Sequence, residues 1–247
     1  VRVPAADVLH VIDPVEAGQL RGVSRFAPAI VKLFLLDQYD DAELDRKKVA
    51  AMYAMFVMVA SGGLMAAVRC SEEAAMSAIR TVAAENANFV VALAGINGPN
   101  SVVLSGTEEA VQRVLSVLNN PSSKNLVVEY AFHSPLVQPA AQDFLKQFNA
   151  AIADGSVKFT TPQPGIQFVS CLRGKVVDAS DLTNPSYWVE QMLSPVRFLD
   201  CVRVLHSAEV NARFLAEIGP SNMFVKQAAL GLSASVGEAC VFTSSLE

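Results

Sequence analysis

The stretch "FVVALAGINGPNSVVLSGT", residues 89–107, reads as two apolar strands with a chain reversal between them. Each run is rich in Val, Leu and Ile. The reversal at "NGPN" (97–100) gathers the Asn, Gly and Pro that favour tight turns. Working outward, "SEEAAMSAIRTVAAE" (71–85) opens on a serine followed by two acids, so Ser71 reads as the N-cap of an amphipathic helix. Before it, "LMAAVRC" (64–70) reads as a short strand. After the hairpin, "TEEAVQRVLSVLNN" (107–120) repeats the helix pattern with Thr107 as its cap, and "KNLVVEYA" (124–131) reads as a fourth strand. The order over residues 63–131 is β-α-β-β-α-β.

That order is the connectivity of a ferredoxin-like split βαβ unit. Downstream, helical and strand-like segments alternate. "PLVQPAAQDFLKQFNAAIAD", "NPSYWVEQM", "SPVRFLDCVRVLHSAE" and "SNMFVKQAAL" read as helices, and "GIQFVSCLRGKVV", "ARFLAEIG" and "CVFTSS" as strand material. Such alternation implies a mostly parallel sheet wrapped by helices, hence an α/β protein with an inserted small subdomain. Upstream, "APAIVKLFLLDQY" (27–39) fits a buried helix, and a second helix is expected from Asp41. "VAAMYAMFVMVASGGLMAAV" (49–68) carries no charge over a length that could span a bilayer. Ser61-Gly62-Gly63 interrupts it, so it reads as a buried helix, a turn and a buried strand.

The 247 residues are 52% apolar and 17% charged, enough for a substantial core, and the net charge of −5 gives no basic field for nucleic acid. Cys70, Cys171, Cys201 and Cys240 show neither a CxxC pair nor zinc-ligand spacing and read as reduced core thiols, with no metal site. No charged stretch followed by an apolar one opens the chain, so no signal peptide is expected. The start at Val1, without a Met, reads as a fragment, a trimmed chain or a piece of something larger.

Chemistry centres on "VVEYAFHSPLVQP" (127–139), which holds one of only three histidines. His133 sits where a strand-like run meets Ser-Pro. A base there would titrate near working pH without strong tuning, though histidines near strand ends are common and, taken alone, more often structural than catalytic. His206 falls on a helix, and His10 has no supporting context. Gln191, in "YWVEQMLSPVRF", reads by pattern as a polar residue near a helix end. A nucleophilic serine on a strand-to-helix elbow wants G-x-S-x-G, and no such pentapeptide occurs. The nearest match is "GVSRF", which offers Ser24 but places Phe26 where the second glycine belongs. "SGG" and "AGINGPN" match neither GxGxxG nor GxxxxGK[ST], so a nucleotide fold is not indicated. "EIGPSN" reads as a turn at the edge of a strand, where ligands often sit in α/β sheets.

Five segments in order, "GGLMAAV" (62–68), "INGPNSVVLSG" (96–106), "YAFHSPLVQP" (130–139), "YWVEQMLSPVRF" (187–198) and "FLAEIGPSNMF" (214–224), resemble the acyltransferase domain of polyketide and fatty acid synthases, the malonyl-CoA:acyl carrier protein transacylase family. The resemblance implies an α/β-hydrolase-like, parallel-sheet large subdomain formed by 1–61 and 132–247, with a ferredoxin-like small subdomain at 62–131. It implies acyl transfer from acyl-CoA, through a serine ester, to the phosphopantetheine thiol of an acyl carrier protein, with no metal or redox cofactor. On matching positions His133 becomes the base, and Gln191 supplies the backbone carbonyl that orients it. "YAFH" lies at the acyl-selectivity motif, where Phe132 resembles the malonyl form and Tyr130 the other.

The nucleophile motif of the family, GHSxGE, is replaced around Ser24, and Met52 falls where the family carries an arginine for the malonyl carboxylate. A thioether cannot pair that charge, so Met52 favours an uncharged acyl group. The FPGQG-type turn of the family is absent. The alternative reading is an inactive acyltransferase-like domain or fragment with a structural or docking role. Other synthase domains are expected partners, a membrane is not, and a cytoplasmic or organellar location is implied.

Overall fold

The computed structural model describes residues 62–119, 122–128, 130–159, 165–217, 222–232 and 241–244, all within one compact unit, Tyr53–Glu247. The readings that fall on residues 1–61, among them Ser24, Met52 and the two N-terminal helices, lie outside them. So do Cys240 and residues 218–221 of the "EIGPSN" turn.

Within residues 62–125, β1 (Leu64–Val68), α1 (Glu72–Glu85), β2 (Val91–Gly98), β3 (Ser101–Gly106), α2 (Glu108–Leu118) and β4 (Ser123–Asn125) follow in the expected order. The four strands form one sheet in the order β2-β3-β1-β4, and every neighbouring pair is antiparallel. β1 and β3 pair from Leu64↔Gly106 to Val68↔Val102. The two register shifts between β2 and β3 fall around Gly95 and Gly98.

The near-continuous apolar character of β2 and β3 follows from burial of both faces, a pattern an alternating half-exposed strand would not show. One face carries Ala66, Val68, Leu93, Ile96, Val102 and Leu104 against Ala75, Ile79, Val82, Val111 and Val114 of the two helices. The other buries Met65, Ala94 and Val103 under Leu126 and Phe132. This second face positions the site.

Local chemistry sets the helix ends. Ser71 Oγ accepts from Ala74 N at 3.2 Å, satisfying one of the orphan donors of α1, with Glu72 and Glu73 in the first turn. Thr107 stands at the cap position of α2, but its hydroxyl makes no cap bond and is aimed at Val90 O at 3.5 Å. The expected side-chain cap is therefore absent. The cause is the close approach beside it: a Cβ on Gly106 would lie 2.1 Å from Val90 O, and Thr107 N already donates there at 2.8 Å.

The fourth strand is shorter than its sequence suggests. It ends at Asn125, although Leu126 N still donates to Met65 O at 2.9 Å; Val127 is fully exposed, and strand pairing resumes at the Tyr130–Gly62 bridge. The three strand residues Ser-Lys-Asn carry no apolar pattern, and the chain leaves the edge after Leu126, with Val127 and Val128 exposed.

After the site turn, α3 (Gln138–Ala153) packs against α5 (Pro185–Leu193). β5 (Phe168–Ser170) and β6 (Lys175–Val177) form an antiparallel hairpin whose turn closes at Gly174, φ +63°. The strand material expected over this region is thus two short strands. A short α4 (Ala179–Leu182) leads into α5. α6 (Phe198–His206) sends Leu199 into the helix-face core of the four-stranded unit. Finally β7 (Phe214–Glu217), α7 (Met223–Leu232) and β8 (Val241–Ser244) make a β-α-β crossover, and β7–β8 is a parallel pair. The fold is mixed α/β. Among the described residues no helix is long and apolar enough to cross a membrane, and the last part of the apolar run at 49–68 is β1.

Candidate active site

The turn carrying His133 is built from directional bonds. Tyr130 bridges to Gly62, and Ala131 is buried against Gly63, where a Cβ would come within 2.6 Å of the Ala131 Cβ. Ser134, fully buried, donates from Oγ to Ala131 O at 2.6 Å and accepts from Leu136 N at 3.3 Å. Those two bonds clamp both sides of His133, whose backbone is left-handed at φ +57°. The left-handed region costs an L-residue on the order of 1–2 kcal/mol, and only a surround that over-determines the turn holds it there. Pro135–Val137 then forms a 3-10 turn leading into α3.

The partner of His133 is a helix end. His133 Nδ1 lies 3.1 Å from Gln191 O, so the ring donates through Nδ1–H and its Nε2 carries the free lone pair. Gln191 O is available for a reason visible in the chain. The carbonyls of the last helical turn lack intrahelical partners. Ser194 N takes Glu190 O at 2.9 Å. The next donor in line would be residue 195, which is Pro195 and has no N–H. Proline also disfavours helical backbone at Ser194, which is extended at φ −105°, ψ 157°. Pro195 therefore stops α5 and leaves Gln191 O to the histidine.

Burial pushes the His133 imidazole below its ordinary value, and the Gln191 and Ser194 backbone bonds partly offset this. The ring is thus neutral at neutral pH, able to accept a proton. The α5 C-terminus, whose dipole end is negative, then favours the imidazolium that forms.

The remaining anchors are set by sequence as simply. Asn184 Oδ1 accepts from Ser186 N at 3.0 Å and Pro185 stands at the start of α5. Tyr187 is buried with its hydroxyl 2.6 Å from Ser170 Oγ, and Arg173 grips Glu190 through two bonds of 2.6 and 2.7 Å. Past Pro195, Val196 joins the edge of β2, donating to Ala94 O and accepting from Ile96 N, both at 2.9 Å. The segment that ends the histidine's helix is thereby stitched to the small sheet.

Of the residues singled out in the sequence, His133 and Gln191 are in direct contact. Phe132 rests on the Met65–Ala94–Val103 cluster, and Tyr130 stacks obliquely on Phe132 with ring centroids 6.0 Å apart. Ser24 and Met52 lie outside the described residues. Sequence reading missed Ser134 and Pro195. The signal for both was the Ser-Pro dipeptide, present at 134–135 and again at 194–195. Among the described residues no cluster of three His, Cys, Asp or Glu side chains could hold a metal ion.

A family model for phage portal proteins of the lambda family matches residues 1–95, under half of the chain. The longer likenesses point elsewhere. The polyketide synthase GfsB of Streptomyces halstedii is 33% identical over 192 residues, 77% of this chain and 3% of that synthase. The acyltransferase domain from the second module of the salinomycin polyketide synthase is 31% identical, with a TM-score of 0.58, covering 76% of this chain and 40% of that one. The malonyl-CoA:acyl carrier protein transacylase FabD of Xanthomonas oryzae is 25% identical, with a TM-score of 0.64, covering 78% of this chain and 57% of that one. The chain therefore spans only part of each relative it matches.

Fold and relatives together define an acyltransferase-type α/β domain. The chain belongs to the family of the polyketide synthase acyltransferase domains and malonyl-CoA:acyl carrier protein transacylases.

Proposed function

We propose that this chain is part of an acyltransferase that moves an acyl group from acyl-CoA to the phosphopantetheine thiol of an acyl carrier protein, with His133 as general base. The observation that carries the reading is the His133 Nδ1–Gln191 O bond, which fixes the tautomer and leaves Nε2 free to take a proton. In the first half-reaction a serine Oγ attacks the thioester carbonyl while Nε2 removes its proton. The C–S bond breaks, and the CoA thiolate leaves with that proton. In the second, the carrier thiol gives its proton to Nε2 and attacks the serine ester, restoring the hydroxyl. Ser24 is the proposed nucleophile. Met52, Tyr130 and Phe132 are the proposed acyl contacts, with Met52 favouring an uncharged group.

The same reading takes residues 62–131 as a ferredoxin-like subdomain inserted in an α/β-hydrolase-like parallel-sheet body of 1–61 and 132–247, in a cytoplasmic or organellar synthase with further domains as neighbours. CoA is a substrate, phosphopantetheine comes with the carrier, and the proposal uses no other cofactor.

Phe26 in place of the elbow glycine favours a second reading, an inactive acyltransferase-like domain used for docking. Intact-mass measurement of the chain after incubation with acetyl-CoA and malonyl-CoA separates the two. The first reading expects an acyl adduct on a serine, passed on to a carrier protein and slowed about 10²–10⁴-fold by His133→Ala. An unmodified chain with every acyl-CoA supplied leaves the docking reading.

A further inference from the structure

Two of the four cysteines, 30 residues apart in sequence, meet in space. Cys171 opens the turn between β5 and β6, Cys201 lies on α6, and their Sγ atoms are 3.7 Å apart. All three cysteines among the described residues are free thiols. The contact is held from both sides by one residue: Arg197 N donates to Cys171 O at 2.8 Å, and Arg197 O accepts from Cys201 N at 3.1 Å. A disulfide needs about 2.05 Å between sulfurs, so closure asks for a movement of about 1.7 Å, within reach of side-chain torsions and a small shift of a tight turn.

The two thiols differ in setting. Cys201 is 5% exposed, and its S–H points to Ser170 O at 3.3 Å and to Cys171 Sγ. Cys171 is only partly buried and receives that hydrogen bond. The bond holds the Cys171 thiol down at about 7 against the opposing effect of burial, while the same bond, with burial added, pushes Cys201 up. Cys171 is the thiol a small oxidant reaches, and Cys201 is the one placed to answer. No third His, Cys, Asp or Glu joins them among the described residues, so the pair is not a metal site there.

We infer that Cys171 and Cys201 are a dithiol modification site that closes to a disulfide when a peroxide oxidises Cys171. The Cys171 thiolate attacks one peroxide oxygen, an S–O bond forms, the O–O bond breaks, and hydroxide leaves. Sulfur is oxidised by two electrons to the sulfenic acid and the peroxide is reduced. Cys201 sulfur then attacks Cys171 Sγ, the S–S bond forms, the S–O bond breaks, and the departing hydroxyl leaves as water with the Cys201 proton. The site does not depend on acyl-transfer activity.

The test uses the full chain, reduced, treated with hydrogen peroxide, alkylated and mapped by mass spectrometry without reductant. The expected result is a linked Cys171–Cys201 peptide, two hydrogens lighter than its separate halves and split by dithiothreitol, with free thiols falling from four to two. In Cys201→Ala, or Cys201→Ser if the first is poorly folded, the Cys171 sulfenic acid persists and is trapped by dimedone. Sulfenic acid accumulating at Cys171 of the unmutated chain without the cross-link overturns the inference. Oxidation confined to Cys70 or Cys240 also overturns it.

Discussion

The four-stranded unit and the turn around His133 hold their shapes by opposite means. In the unit, thirteen buried side chains from three strands and three helices form a single helix-face cluster, and no polar side chain belongs to it. Its energy is spread over area, so a lost methylene weakens everything a little and misplaces nothing in particular. In the turn, a left-handed histidine is kept by two bonds of one serine and oriented by the backbone at the end of α5, Gln191 O foremost. There the total energy is small, but each bond fixes a direction. The first region should therefore lose stability when cut and keep its geometry, and the second should lose geometry out of proportion to stability.

The largest effect on stability is expected from Leu104→Ala. Leu104 is fully buried at the middle of β3, opposite Ala66 and Leu93. A Leu→Ala change in such a site costs about 2–5 kcal/mol through lost burial and the cavity left behind. Urea unfolding measures it, and nuclear magnetic resonance of the His133 ring reads the geometry. A cost below about 1 kcal/mol, or a displaced His133 signal in a still-folded chain, would break the comparison.

Ser134→Ala comes next. It strips the buried Ala131 carbonyl of its 2.6 Å donor and Leu136 N of its acceptor. Leaving such groups unpaired costs about 1–3 kcal/mol. The sharper expectation is geometric: His133 relaxes out of the left-handed region and parts from Gln191 O, visible as a changed ring titration. If stability falls while the titration stays as it was, the serine is not the clamp described.

The same contrast explains what could be read in the chain beforehand. Burial repeats, so the β-α-β-β-α-β order was legible from apolar runs, the Asn-Gly-Pro-Asn reversal and the Ser71-Glu72-Glu73 helix start. Directional bonds do not repeat. Nothing in "AFHSP" marks His133 as left-handed, since no Gly or Asn stands there, and its partner is a backbone carbonyl that any residue at position 191 would supply. The resemblance to a family paired His133 with Gln191, where residue patterns alone did not. Thr107 and "LVV" misled for a related reason. A cap and an edge strand each depend on what lies beside them, the Gly106–Val90 contact in one case and the departure of the chain after Leu126 in the other. The thiols were read singly because their separation of 30 residues hides a contact made by tertiary packing.

The smallest effect tests the least visible part, a missing N–H. Replacing Pro195 by Ala lets Ser194 return to helical backbone and gives residue 195 a donor aimed at Gln191 O, in competition with His133 Nδ1–H. The greater freedom of the unfolded chain alone costs about 0.4–1 kcal/mol. Gln191 O favours the protonated ring, so weakening that bond should move His133 further below its already lowered value. The sign for stability follows. With the folded value under the unfolded value of about 6.5, the unfolded chain binds the proton more readily. Stability is then present in full above the unfolded value and declines as pH falls through the folded one. In Pro195→Ala that decline should extend to lower pH than in the parent, as measured by urea unfolding across pH 4–8 with the ring titration followed in parallel. Gln191→Ala, which keeps the carbonyl, should leave both curves where they were. If Gln191→Ala shifts the titration as much as Pro195→Ala does, the side chain rather than the helix-end carbonyl positions His133, and the directional account of this turn fails at its central bond.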